Sequence, residues 1–190
     1  MRLFVAVEIP EPHRRSVERA IQPLRLSLRG AVRWVPRESW HATLKFLGEV
    51  PDARVPEASS IIGRTASATA PTVTSLTAVG AFPSMTRARV LWVGLDDPGG
   101  RLAELAAALE EALGAAGFRQ ESRPLRLHLT LARIRVPLDI AAAVDKGRPY
   151  TFEPEPFPVD DAVLFRSILG RGGAVYEETA RFPFGEPSGP

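Results

Sequence analysis

The sequence predicts an α+β fold of two pseudo-symmetric lobes. Each lobe is a mostly antiparallel sheet with helices on its outer face, and an active-site cleft lies between them. Three observations carry this prediction. First, His41-Ala42-Thr43-Leu44 returns as His128-Leu129-Thr130-Leu131, 87 residues further on. Ordinary residue frequencies would match two of three histidines this way in about one chain in ten thousand. Second, the same offset lays Arg2-Leu3-Phe4-Val5-Ala6-Val7 on Arg89-Val90-Leu91-Trp92-Val93-Gly94, Gly30 on Gly117 and Pro71 on Pro158, with no insertion between them. Third, each half reads strand, helix, strand, strand, helix, strand. The 190 residues are therefore read as one domain of two repeats, about 1–87 and 88–184, with 185–190 as a flexible tail.

Each half opens on a short apolar run rich in branched and aromatic residues, the pattern of a buried strand. A helical pattern follows. Val17, Ala20, Ile21, Leu24 and Leu28 recur at helical spacing, as do Leu102, Leu105, Ala106, Leu109 and Leu113. Pro23 should kink the first helix or end it early, and Gly30 and Gly117 should stop the two helices. Extended segments are expected at 32–35 and 118–122, followed by the two histidine strands. Helices at 56–67 and 139–146 and strands at 73–79 and 159–165 complete the halves. A final strand at 175–182 could join either sheet. Residues 147–158 form a proline-rich loop.

Composition narrows the chemistry. Hydrophobic residues make up 45% of the chain, which fits a globular protein. There is no cysteine, so there is no thiol nucleophile, and a reducing compartment suits the chain. The apolar run at residues 3–7 is too short for a signal peptide or membrane span, and no other run approaches spanning length. A cytoplasmic, monomeric protein is expected. Net charge is only +2, but all but two of the 24 basic residues are arginine, the side chain whose planar fork suits phosphate oxygens. Arg119, Arg123, Arg126, Arg133 and Arg135 flank the second motif, opposed only by Glu121.

Strand side chains alternate faces. By that rule His41, Thr43 and Lys45 share one face, with Ala42, Leu44 and Phe46 beneath. His128 and Thr130 share one face above Leu127, Leu129 and Leu131. If the motifs meet, two imidazoles and two hydroxyls surround one point, with Lys45 at the edge. That set suits in-line displacement at phosphorus. One neutral imidazole takes a proton from the nucleophile, and the other, as imidazolium, protonates the leaving oxygen. Hydroxyls and a cation stabilise the non-bridging oxygens. Neither tetrapeptide contains a metal-ligand set, and no serine-triad, phosphate-loop or dinucleotide motif is present. No metal and no cofactor are expected. The third histidine, His13, is read as a surface residue at a helix start.

These residues resemble the two-histidine phosphoesterases, and most of all the bacterial and archaeal RNA 2′,3′-cyclic phosphodiesterases, historically called 2′-5′ RNA ligases. The matching text is Arg2 through Ala6, Trp40-His41-Ala42-Thr43-Leu44-Lys45-Phe46-Leu47-Gly48-Glu49-Val50, Gly80-Ala81-Phe82-Pro83, Arg89 through Gly94, His128-Leu129-Thr130-Leu131-Ala132-Arg133, and Leu164 through Ser167 to Tyr176. The resemblance implies a bilobal fold and metal-independent opening of an RNA-terminal 2′,3′-cyclic phosphate to a 2′-phosphate. It implies His41 as proton donor, His128 as proton acceptor, and Thr43 and Thr130 as phosphate contacts. Lys45 and Arg133 are carried as further phosphate contacts. Simple alternation turns Arg133 away from His128, and only a bulge would re-aim it. The family often has proline where Leu127 stands. Two other functions stay open: ATP-independent 2′-5′ ligation by reverse transesterification through the same residues, and a non-catalytic RNA- or nucleotide-binding module using the arginine-rich face.

Overall fold

Val5, Ala6 and Val7 are fully buried in β1 (Arg2–Glu8), because a strand paired on both edges and covered on both faces can carry a continuous apolar run. The structure is a computed structural model, and it describes residues 1–121, 124–144, 152, 156–170 and 173–185. β1 lies between β3 (His41–Glu49) and β9 (Asp161–Gly170), and β10 (Gly173–Pro183) forms the outer edge. On the other side of β3 come β7 (His128–Leu138), β6 (Ala88–Leu95) and β5 (Leu76–Phe82). The short β2 (Arg33–Trp34) also pairs with β7. All these pairings are antiparallel. The two sides of the sheet meet through one described pair, Ala42 with Leu129. A separate small sheet joins β4 (Thr72–Thr74) to β8 (Phe157–Val159).

This order departs from the picture of two halves that each build a sheet. β9 and β10, late in the chain, pair on the side of β1. β5 and β2, early in the chain, pair on the side of β6 and β7. Thus β5 and β2 of the first half and β9 and β10 of the second cross over, and the segments leading into β5 and β9 pass each other at the β4–β8 pair. Apolar alternation locates strands but carries no information about their distant partners, so the exchange was invisible in the sequence.

The registers repeat more closely than the letters. β1 pairs Val7 with Ala42 and Val5 with Lys45. β6 pairs Val93 with Leu129 and Leu91 with Ala132. Structurally, Val7 therefore matches Val93 rather than Gly94, one residue short of the 87-residue offset. The match with no insertion does not hold for these strands.

The expected first helix is two: α1 (Glu11–Ala20) and α2 (Gln22–Ser27), broken at Ile21. Pro23 falls in the first turn of α2, where its missing N–H costs nothing. α3 (Val55–Ser67) and α4 (Arg101–Ala115) pack together on the sheet. α4 buries Leu102, Leu105, Ala106, Leu109 and Leu113, the stripe its spacing predicted. Gly117 follows it at φ +79°, a left-handed position that favours glycine. α5 (Ala141–Val144) covers the described part of the expected 139–146 helix. Most of the 147–158 loop and residues 186–190 of the expected tail lie outside the described residues. His13 is not at the surface. It is 5% exposed and packs on Phe157, with ring centroids 4.4 Å apart, because the first turn of α1 tucks beneath β8. Among the described residues no helix is long and apolar enough to cross a membrane.

Candidate active site

Each histidine begins its strand, and each strand bulges three residues later. β1 pairs Ala6 with Thr43 and Val5 with Lys45, which leaves Leu44 without an opposite number. β6 pairs Trp92 with Thr130 and Leu91 with Ala132, which leaves Leu131 without one. An extra residue reverses the alternation beyond it. Leu44 and Lys45 are therefore both buried and Phe46 is exposed; Leu131 and Ala132 are both buried and Arg133 is exposed. The bulges bring Arg133 onto the face of His128 and Thr130. They remove Lys45 from the face of His41 and Thr43, where strict alternation placed it.

Lys45 is 1% exposed and sits on the core side of β3. Its ammonium donates to Glu110 Oε2 on α4 at 2.5 Å and to the Arg119 carbonyl at 2.7 Å. Glu110 Oε1 accepts the Glu121 N–H, and Glu121 Oε2 accepts the Phe46 N–H. The four residues close a circuit that ties segment 119–121 along β3 and fixes the bulge. Partial burial pushes the Glu110 carboxyl up, but the Lys45 hydrogen bond and the Glu121 N–H outweigh it and hold it below its ordinary value. Glu110 could not be found from sequence, since nothing in helix α4 marks one acid as the partner of a lysine 65 residues away.

Around the pair Ala42–Leu129, one step along antiparallel strands sets His41 toward Thr130 and Thr43 toward His128, all on one face. Both imidazoles are half-buried and fixed in the same way. His41 Nδ1 lies 2.8 Å from the Ser39 carbonyl, and His128 Nδ1 lies 2.6 Å from the Arg126 carbonyl. A carbonyl only accepts, so Nδ1 carries the hydrogen in each ring. In the neutral form Nε2 keeps the lone pair. Burial lowers His41 to about 4; the Ser39 hydrogen bond opposes this, and His128, Arg133 and Arg14 add to it. His128 is lowered by burial too, against its Arg126 hydrogen bond, with Arg133 adding to the effect. At neutral pH both are uncharged in the unliganded protein.

The surroundings differ. His41 sits among rings: Phe4 at 4.7 Å, Tyr176 edge-on at 4.9 Å and Phe165 at 5.9 Å between centroids. Phe82 stands edge-on to His128 at 5.1 Å, and Trp92 lies at 6.3 Å. Trp92 covers Gly80, where any β-carbon would collide with the indole. Sequence reasoning did not assign these rings to the site. Phe4 and Phe82 were legible as strand residues, but their approach to the histidines depends on pairings between distant strands. The arginine cluster disperses. Arg119 lies against Gly48, Arg126 lies over Phe82, Arg133 and Arg135 are exposed on β7, and Arg123 is outside the described residues.

Two neighbouring His-x-Thr strands thus set two imidazoles and two hydroxyls on one face, each ring with Nε2 turned away from its backbone carbonyl, an arrangement that could both take and give a proton. The chain belongs to the 2′-5′ RNA ligase superfamily, whose family model matches residues 12–171. A protein of Archaeoglobus fulgidus named RNA 2′,3′-cyclic phosphodiesterase is 34% identical over 188 residues, covering 96% of this chain and 99% of the relative. The crystal structure of TT0787 of Thermus thermophilus superposes with a TM-score of 0.81 at 29% identity, covering 96% of this chain and 97% of that one. The structure of E. coli LigT complexed with 3′-AMP gives 0.77 at 27% identity, covering 96% and 97%. These matches place the two-lobed α+β architecture on solved relatives.

Proposed function

We propose that this protein is an RNA 2′,3′-cyclic phosphodiesterase that opens the terminal ring to a 2′-phosphate. The observation that carries the reading is the matched pair of imidazoles, each locked by a backbone carbonyl so that Nε2 is the working nitrogen. The name of the A. fulgidus relative and the 3′-AMP complex of LigT support the substrate class.

In this mechanism the cyclic phosphate sits between the motifs. His128 takes a proton from water, whose oxygen forms the new bond to phosphorus. The bond from phosphorus to the 3′ oxygen breaks, and His41 gives that oxygen its proton. Thr43, Thr130 and Arg133 donate to the non-bridging oxygens, where charge builds up. Lys45 serves from behind the strand, holding the bulge that turns Phe46 to the site face, and makes no phosphate contact. His41 is neutral without substrate, so it takes up its proton from solvent as the phosphate anion binds, the anion's charge favouring the imidazolium. Both motifs come from one chain, so a monomer holds the complete site. The absence of cysteine fits a cytoplasmic setting. The same groups would join two RNA ends when a 5′-hydroxyl replaces water: its oxygen bonds to phosphorus, the bond to the 3′ oxygen breaks and a 2′-5′ linkage results, but water's concentration favours hydrolysis.

The test is phosphorus NMR of the product from an oligonucleotide ending in a 2′,3′-cyclic phosphate. A 2′-phosphomonoester from the wild type, and unreacted substrate from His41→Ala and His128→Ala, are expected. A 3′-phosphate product, or full turnover by either variant, would sink the reading.

A further inference from the structure

The two halves of the site face carry different charge. Partners across antiparallel strands share a face. On the His128 side, one row runs Arg33, Arg133, Val90, Phe82 across β2, β7, β6 and β5. Arg135 follows Arg133 with the buried Ile134 between them, so it continues the same face, and it is exposed. The Arg126 guanidinium lies over the Phe82 ring, 5.8 Å from its centroid. On the His41 side, the corresponding row is Phe46, Phe4, Phe165, Glu178. Opposite His41 stands Glu8, where His128 has Gly94. Arg181 on that side is already held by Glu8 at 2.6 Å, Asp161 at 2.9 Å and Glu178 at 2.6 Å.

A 2′,3′-cyclic phosphate closes the 3′ end of an RNA, so every other nucleotide lies on its 5′ side. Over Glu8, Asp161 and Glu178 those phosphodiesters would meet carboxylates. Over β7, β6 and β5 they meet guanidinium forks, which hydrogen-bond phosphate oxygens well. We propose that the single RNA strand upstream of the reacting nucleotide lies across the β7–β6–β5 side, with separate backbone phosphates on Arg126 and Arg135. The enzyme would then prefer oligonucleotides to a cyclic mononucleotide through KM rather than kcat, because these arginines lie away from the reacting phosphorus. The inference rests on the phosphodiesterase reading and adds a strand path to it.

The experiment compares a 2′,3′-cyclic mononucleotide with a six-nucleotide RNA ending in the same group, using wild type, Arg135→Ala, Arg135→Glu and, as a control on α3, Arg64→Ala. The hexamer KM should rise about three- to tenfold in Arg135→Ala and further in Arg135→Glu. Its kcat should be unchanged, as should mononucleotide turnover and the behaviour of Arg64→Ala. The fall of log(kcat/KM) with log[salt] should be steeper for the hexamer, and Arg135→Ala should flatten it by about 0.7 for the single phosphate left without its arginine. Equal KM for both substrates in the wild type, or a hexamer KM untouched by Arg135→Glu, overturns the strand path and leaves the phosphodiesterase reading standing. A wild type that turns over neither substrate overturns that reading and the path with it.

Discussion

Lys45-Phe46 and Ala132-Arg133 occupy matching places after the two bulges, and their chemistry is inverted. In β3 the cation turns inward and a ring faces the site. In β7 a methyl group turns inward and a cation faces the site. One backbone irregularity, used twice, thus gives the site an apolar side around His41 and a basic side around His128. The difference teaches that the charge next to a motif in the sequence need not be the charge next to it in space.

The sharpest break of the comparison removes each histidine in turn. Alanine at either should lower kcat about 10²- to 10⁴-fold. The two are told apart by a phosphodiester with a p-nitrophenyl leaving group, which departs without a proton. His41→Ala, lacking the donor, should keep most activity on it, while His128→Ala should not. Rescue of the opposite variant would exchange the roles of acid and base. That result has a physical basis, since burial depresses His41 more deeply than His128 in the unliganded protein.

Stability against pH gives the next largest contrast. A histidine whose folded pKa is lowered binds fewer protons folded than unfolded, so stability is lost as pH falls. For His41 the loss begins near 6.5 and levels off near 4, the two ends of its shift. At about 1.4 kcal/mol per pKa unit it amounts to about 3 kcal/mol. Urea midpoints of wild type and His41→Gln, taken from pH 8 to 4, should diverge across that window as the variant escapes the loss. His128→Gln should escape less. Parallel curves for all three would mean that neither ring is desolvated as the fold requires.

Exchanging the inward and outward cations comes third. Lys45→Met leaves Glu110 without its ammonium and the Arg119 carbonyl without a donor. Breaking a fully buried pair costs about 3–5 kcal/mol, and solvent around the half-exposed Glu110 reduces this to about 2 kcal/mol. Arg133→Met should cost little stability but lower kcat/KM about 10- to 100-fold by removing a charge from the phosphate. Denaturant melts beside steady-state kinetics check both. A normal melt with a collapsed KM in Lys45→Met would return that lysine to the phosphate.

Much of this was legible in the chain, for reasons that sort cleanly. The α4 stripe, the two histidine strands and the stop at Gly117 are local patterns, and each lies where its spacing put it. The pairing of His with Thr on one face survives because both precede the bulge. Lys45 fails because it follows one: a bulge depends on the opposite strand's register, and alternation cannot register an extra residue in advance. His13 fails because its cover, Phe157, comes from 144 residues away. The strand exchange and the aromatic walls fail for the same reason, since pairing is non-local.

The smallest expected effect tests the row that separates the two histidines most directly. Glu8 stands opposite His41, yet its carboxylate is shared by Arg14 at 3.5 Å and Arg181 at 2.6 Å. Arg14 itself adds to the depression of His41 and makes no such contribution to His128. Arg14→Met removes that positive charge and releases part of Glu8, and both changes favour the His41 imidazolium. Imidazole proton shifts followed by NMR through a pH titration should therefore show His41 titrating higher in the variant and His128 unmoved. Movement of both rings together would make the effect a field of the whole surface rather than of the Glu8 row. With no movement of either, the neutral edge beside His41 owes nothing to Arg14, and its low value rests on burial and on the charges across the site.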